Sequence, residues 1–333
     1  MLAELCDKGS SSLAQKDLVF NSGIYPVYGA AGEITKVDFF HQSKPYLGLI
    51  KDGAGVGRVM KLPANSSVIG TIQYLFPREN VDLKYLYYLI KYLDLGKSNT
   101  GATIPHIYFK DYKKRKVKVR EYSEQKHIGQ TLELIDSHLS TYKNILDQYD
   151  LLIKSRFVEM FGDITARGRF KVKRWKDILD ILNGRDYKNV LVNKGGYPVY
   201  GSGGIIARAS DYICPAGTII IGRKGSINNP ILVNEKFWNV DTAFGIVPKE
   251  TINKNYLFYF CKQYNFNRLN KATTLPSLTK QDLLEIEINI PDLEKQVKFS
   301  RFVDQINKLK SDVQKSINET QLLMDSLMQE YFG

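Results

Sequence analysis

Tyr25-Pro26-Val27-Tyr28-Gly29 returns as Tyr197-Pro198-Val199-Tyr200-Gly201, and that return decides how the chain is divided. Working outward, Ile104-Pro105 returns as Leu275-Pro276 and Glu159-Met160-Phe161-Gly162 returns as Glu330-Tyr331-Phe332-Gly333. The displacement is about 171 residues throughout, with a one-residue slip at the Tyr-Pro segment. A period this long is a duplicated domain and not a solenoid repeat, whose units run to roughly 20–50 residues. The matched residues read as scaffold, while the loops between them have diverged. Two similar frames therefore carry two different surfaces.

The 333 residues suffice for two units that each bury a core. A hydrophobic share of 43% with 12% aromatic residues is that of a folded soluble protein. No apolar run approaches the ~20 residues that cross a bilayer. Met1-Leu2-Ala3-Glu4-Leu5 lacks the basic-then-apolar layout of a signal peptide, so a cytoplasmic setting is expected. Cys6, Cys214 and Cys261 are scattered without C-x-x-C spacing, which predicts buried thiols in place of a disulfide framework or zinc site. The net charge of +12 points to a polyanionic partner, and the 21 tyrosines add flat surface able to stack or pack.

Tyr46–Ile50 and Ser67–Phe76 read as strands between turn residues, as do Thr218–Gly222 and Val240–Val247. Lys84–Leu93 and Asn255–Phe260 read as aromatic-faced helices, and a strand is expected near Arg115–Val119 and again near Glu285–Ile290. Each copy closes on a long proline-free helix. In the second, Phe299, Phe302, Ile306, Leu309, Val313, Thr320, Leu323 and Leu327 follow a heptad. In the first, Ile128, Thr131, Ile135, His138, Tyr142, Ile145, Tyr149 and Leu152 form the matching stripe, broadened by Leu132 and Leu139, with His138 expected to pack within it. The two stripes invite each other as antiparallel partners. Asp163–Arg174 is basic and contains glycine, as an exposed tether would.

Signals of catalysis are weak. Gly53-Ala54-Gly55-Val56-Gly57 has no Gly-Lys-Ser/Thr after it and lacks the last glycine of a dinucleotide fingerprint, so it reads as a tight turn. Asn228-Asn229-Pro230-Ile231 has Ile231 where an amino-methyltransferase motif needs an aromatic, and also reads as a turn. His41, His106, His127 and His138 show neither metal-ligand nor acid–base spacing. Basic and amide side chains in the loops are more telling, because Arg, Lys, Asn and Gln can bond base edges. The candidates are Lys51, Arg58, Gln73, Lys97, Asn99 and His106 in copy one, and Arg208, Arg223, Lys224, Asn228 and Lys271 in copy two. Tyr108–Arg120 is dense in cations; phosphate neutralisation and a lysine-protected strand edge both stay open for it.

The paired Tyr-Pro-Val-Tyr-Gly segments resemble those of the specificity subunit of type I restriction–modification enzymes. So do the loops Ile50–Gly57 and Ile221–Ile227, the pair Thr103–His106 and Thr274–Ser277, and the closing Phe161-Gly162 and Phe332-Gly333. The resemblance covers essentially the whole chain. One departure is that the first copy lacks an equivalent of Trp175-Lys176 ahead of its first element.

That resemblance implies an α+β chain with pseudo-two-fold symmetry. Two mixed α/β target recognition domains, 1–122 and, together with the linker, 163–292, would be separated by an antiparallel coiled coil of helices at 123–162 and 293–333. Each domain would read one half of a bipartite, asymmetric site in double-stranded DNA. The subunit would itself be non-catalytic and hold no cofactor. It would assemble with two modification (methyltransferase) subunits, which carry S-adenosylmethionine, and with restriction subunits, which use ATP and Mg. A stand-alone DNA-binding regulator with duplicated domains is the alternative, distinguished by whether the chain co-purifies with a methyltransferase.

Overall fold

Runs rich in β-branched and aromatic residues, punctuated by Gly, Asn and Pro, form the sheets of both copies. The computed structural model describes residues 1–18, 22–98, 105–164, 168–270 and 276–333. The first copy runs β1 (Cys6–Ser10), β2 (Tyr25–Gly29), β3 (Gly32–Val37), β4 (Tyr46–Ile50), β5 (Val59–Leu62), β6 (Ser67–Val68) and β7 (Ile72–Pro77). It continues through α1 (Leu83–Leu93), α2 (Phe109–Tyr112) and α3 (Tyr122–Phe161). The second runs β8 (Lys171–Arg174), α4 (Trp175–Ile178), β9 (Leu179–Asn183), β10 (Tyr197–Gly201), β11 (Gly204–Ala209) and β12 (Thr218–Gly222). It ends with β13 (Ile231–Val233), β14 (Trp238–Asn239), β15 (Ala243–Pro248), α5 (Lys254–Gln263), α6 (Lys280–Leu284), β16 (Glu287–Ile290) and α7 (Leu293–Phe332). The chain is α+β, with two similar mixed domains and two long helices.

Two sheets of each copy repeat strand for strand. The order β1-β7-β4-β5 in the first copy matches β9-β15-β12-β13 in the second, and β3-β2-β6 matches β11-β10-β14. Both hairpins even carry a bulge at the same place, between Val27 and Tyr28 and between Val199 and Tyr200. The expected strand Ser67–Phe76 is two strands, β6 and β7, parted by a turn.

Two expectations are corrected at the copy edges. Arg115–Val119 forms no strand, whereas β16 pairs with β8, built from the last residues of the basic tether. A strand needs a partner backbone; in the first copy the N–H groups of Leu2 and Ala3 donate to the carbonyls of Arg115 and Lys113 at 2.9 and 3.0 Å without making a ladder. The first copy does have an equivalent of Trp175. The Trp175 N–H donates to Ile286 O at 2.9 Å as the Leu2 N–H does to Arg115 O, and both side chains are completely buried.

Residues 1–143 with 314–333 make one compact unit, and residues 144–313 make another. In the first unit, Ile128, Leu132 and Ile135 of α3 share a core with Tyr85, Leu86 and Leu89 of α1 and with Met324 and Met328 of α7. In the second, Ile153, Phe157 and Phe161 of α3 share a core with Tyr256 and Phe260 of α5 and with Phe299, Val303 and Ile306 of α7. Within each unit the start of one long helix lies with the end of the other, the order an antiparallel pair requires. Each helix spans 40 residues, or about 60 Å. Gly162 ends α3 with φ at +79°, a left-handed cap that a side chain disfavours.

The heptad stripes are buried only at the start of each helix, at Ile128 and Ile135 of α3 and at Phe299 and Ile306 of α7. Leu309 and Leu323 are 44% and 51% exposed, and His138, expected to pack, is exposed as well. The buried hydrophobic residues of α3 are the stripe's Ile128 and Ile135 with the neighbouring Leu132 and Leu139, then Ile153, Phe157 and Phe161, which lie off the stripe. A 3.6-residue turn drifts off a 3.5-residue repeat, so a stripe stays buried only where a domain covers it. Cys6, Cys214 and Cys261 are buried free thiols.

Candidate nucleic-acid interface

In each domain three backbone segments are stitched together by the same hydrogen bonds. In the first, the Lys51 N–H donates to Thr71 O at 3.0 Å, Gly53 N–H to Pro105 O at 3.0 Å and Ile107 N–H to Lys51 O at 3.0 Å. In the second, the Arg223 N–H donates to Thr242 O at 2.7 Å, Gly225 N–H to Pro276 O at 3.1 Å and Leu278 N–H to Arg223 O at 2.9 Å. Main-chain bonds of this kind constrain the path and leave the side chains free to differ. On one frame, Lys51 therefore stands where Arg223 stands on the other, Asp52 where Lys224 stands, and His106 where Ser277 stands.

A hairpin tip completes the cluster. The Arg58 guanidinium donates to Ala30 O in the β2–β3 turn. In the second domain a Cβ built on Gly222, beside Arg223, would lie 3.1 Å from Ser202 Cβ in the β10–β11 turn. Lys97 joins through glycine contact. A Cβ on Gly57, whose φ is +85°, would lie 2.1 Å from the Gly96 nitrogen, so only glycine lets the loop and the turn carrying Lys97 approach this closely.

The structure thus brings Lys51, Arg58, Lys97 and His106 together in the first domain, and Arg223 and Lys224 in the second, with Arg208 on the hairpin whose turn meets Gly222 but at its other end, opposite Pro198. Lys97 Nζ pairs with Asp94 at 3.0 Å, His106 Nδ1 contacts Asp52, and the Arg208 guanidinium donates to Gly196 O at 3.1 Å. His106 and Arg115 of the basic run line one cleft of about 240 Å³. Asn99 and Lys271 lie outside the described residues.

Two candidates are set apart. Gln73 is buried on β7, a strand paired on both edges, and its side chain accepts from the Tyr112 hydroxyl. Its neighbours Ile72, Tyr74 and Leu75 are buried too, so both faces of β7 are covered here and either direction would take Gln73 out of solvent. Asn228 Oδ1 accepts from the Phe266 N–H at 2.7 Å and its Nδ2 donates to Asn265 at 3.4 Å, so its amide ties two loops together.

Two exposed cations escaped the sequence reading. Lys36 stands opposite Pro26 as Arg208 stands opposite Pro198, and Arg268 occupies in its 3-10 turn the place that Lys97 occupies in the other. The repeat register alone would have found both.

The chemistry of the cluster is cationic and hydrogen-bonding. Among the described residues no group of three or more His, Cys, Asp or Glu is placed to hold a metal ion. Burial pushes the Tyr46, Tyr112 and Tyr256 hydroxyls far up, and raises the Cys6 and Cys214 thiols to about 12. These groups belong to the cores.

Residues 1–148 and 168–320 match the family model of the type I restriction modification DNA specificity domain. The chain belongs to this family. A protein named as a type I specificity subunit in Mycoplasma pneumoniae is 29% identical over 158 residues, 44% of this chain and 51% of that one. The specificity subunit of the MjaVIII type I restriction enzyme of Methanocaldococcus jannaschii is 22% identical over 315 residues, 78% of this chain and 72% of its own. The chain thus spans about half the length of the first relative and most of the second. The crystal structure of a type I restriction–modification S subunit from M. genitalium superposes with a TM-score of 0.70 at 18% identity, over 100% of this chain and 95% of that one. A structure of a type I restriction–modification system gives 0.57 at 15% identity, over 99% and 96%. At these identities the likeness is one of fold, and it extends to both domains and both long helices.

Proposed function

We propose that this specificity subunit binds double-stranded DNA through its two loop clusters, each reading one half of a bipartite, asymmetric site. The repeated backbone frame presenting unlike side chains is the observation that carries this reading. Cations around each cluster neutralise phosphates, and a few side chains contact base edges. The antiparallel helix pairing within each unit supports a second element of the proposal, that α3 and α7 fix the spacer between the half-sites. The chain is non-catalytic and cytoplasmic, and no described helix is long and apolar enough to cross a membrane. It recruits two modification subunits, which bring S-adenosylmethionine, and restriction subunits, which bring ATP and Mg.

The test is to co-express the chain with its modification subunit and map methylated adenines. The expected motif is two different half-sites around a spacer of fixed length. A contiguous or palindromic motif, or methyl transfer by the chain alone, overturns the reading. Binding to DNA without any methyltransferase partner favours the stand-alone regulator.

A further inference from the structure

Ile205 and Ile206 on β11 are 57% and 56% exposed, side by side. Adjacent strand residues ordinarily face opposite sides, so one of such a pair should meet the core. Here the bulge intervenes: Tyr200 pairs with Ile205 and Val199 with Ala207, leaving Ile206 as the inserted residue. Bulges re-aim side chains in this way. The first domain has the same bulge with a different outcome. Glu33 takes the place of Ile205 and is exposed, whereas Ile34 folds back over Gly29, whose built Cβ would lie 2.5 Å from Ile34 Cδ1. On the second hairpin the nearest Ile206 carbon lies 3.9 Å from the same point on Gly201.

The surroundings of the isoleucine pair are cationic. Arg208 is exposed two residues along β11, and Ser202 of the turn lies against Gly222, next to Arg223 and Lys224. Gly203 and Gly204 keep the tip narrow. A two-stranded ribbon fits the major groove, and the one apolar group that base edges present there is the C5-methyl of thymine.

Resting on the DNA-binding reading above, we infer that Ile205 and Ile206 read thymine methyl groups in the half-site of the second domain, with the β10–β11 ribbon in the major groove. The first domain, bearing Glu33 and a folded-back Ile34, has no such reader. The second half-site accordingly contains at least one A·T pair.

Replacing thymine by deoxyuridine removes only the methyl group, so it tests the inference directly. The full chain in complex with its modification subunits is titrated with its target duplex, with thymines of one half-site or the other replaced. For one half-site the affinity falls about fourfold per contacted methyl, the cost of exposing one methyl-sized group. A chain with Ile205→Ala and Ile206→Ala binds the thymine and deoxyuridine forms of that half-site equally. It still assembles with the modification subunits in the parent chain's stoichiometry, which reports an intact fold. The single variant Ile206→Ala gives the same comparison if the double variant fails to assemble. Deoxyuridine sensitivity that survives both variants, indifference to deoxyuridine in both half-sites, or a half-site of G·C pairs alone overturns the assignment while leaving DNA binding standing. Failure of the complex to bind any duplex overturns both.

Discussion

Gln125 and Gln296 are buried amides that do the same task in the two domains. The Gln125 side chain accepts from the Asp82 N–H at 3.0 Å and donates to Arg120 O at 2.8 Å; that of Gln296 accepts from the Asn253 N–H at 2.8 Å and donates to Pro291 O at 2.7 Å. Each thereby locks the first turn of a long helix to the N-cap of α1 or α5. Replacing either by Ala leaves buried main-chain groups unpaired and should cost about 1–3 kcal/mol, seen as a shifted denaturant midpoint. An unchanged midpoint would mean that water replaces the amide without penalty. Glu133 is the other informative single residue. Partial burial opposes its ionisation, but bonds from Lys84 and Lys61, the latter at 2.9 Å, outweigh that and hold its carboxyl below the usual range. A depressed carboxylate stabilises the fold above its unfolded pKa and loses that contribution as pH falls through its folded value. With the side chain a third exposed, Glu133→Gln should cost only about 0.5 kcal/mol at pH 7. The difference from the parent chain should fade from about pH 4.3 downward.

The long helices end in aromatic anchors that belong by sequence to one copy and by packing to the other. Phe161 closes the first copy, yet its ring lies 4.8 Å from that of Tyr256 and 5.5 Å from that of Phe299. Phe332 closes the second, and its ring lies 5.3 Å from Tyr85 and 5.8 Å from Tyr92. Truncating the buried Phe161 to Ala should cost about 3–5 kcal/mol. The loss should appear in the second unit: amide hydrogen exchange should accelerate in α5 and β16 and stay unchanged in β4 and β7. Acceleration confined to β4 and β7 would contradict the packing described.

At the scale of the molecule, the charge of +12 and the two cationic clusters set the expected solution behaviour. Under the proposed function, the logarithm of affinity for duplex DNA should fall linearly with the logarithm of salt, with a slope of about −0.9 per phosphate contact. Replacing Arg223 and Lys224 by Ala should flatten that slope, and an unaltered slope would remove the second cluster from the interface. Adding seven residues to both α3 and α7 should lengthen the preferred spacer and leave both half-sites as they were. A spacer that stays constant would discredit the helices as its ruler.

The duplication, the strands β4 and β12, the helices α1 and α5 and the long closing helices were legible in the sequence because local spacing dictates them. Turn residues, period-two runs and proline-free 3.6-residue periodicity need no distant partner to be read. Lys51 and Arg223 were legible as loop cations for the same reason. Burial was not. Whether Gln73 is buried, whether Arg115–Val119 becomes a strand, and which turns of α3 and α7 are covered depend on segments far away in sequence. Tertiary structure decided these, because a side chain's solvent and a strand's hydrogen bonds are supplied by whatever the fold sets beside them. The bulge that leaves Ile205 and Ile206 both outside is of this second kind: the residues were in plain view, and only the register with Tyr200 gave them a direction.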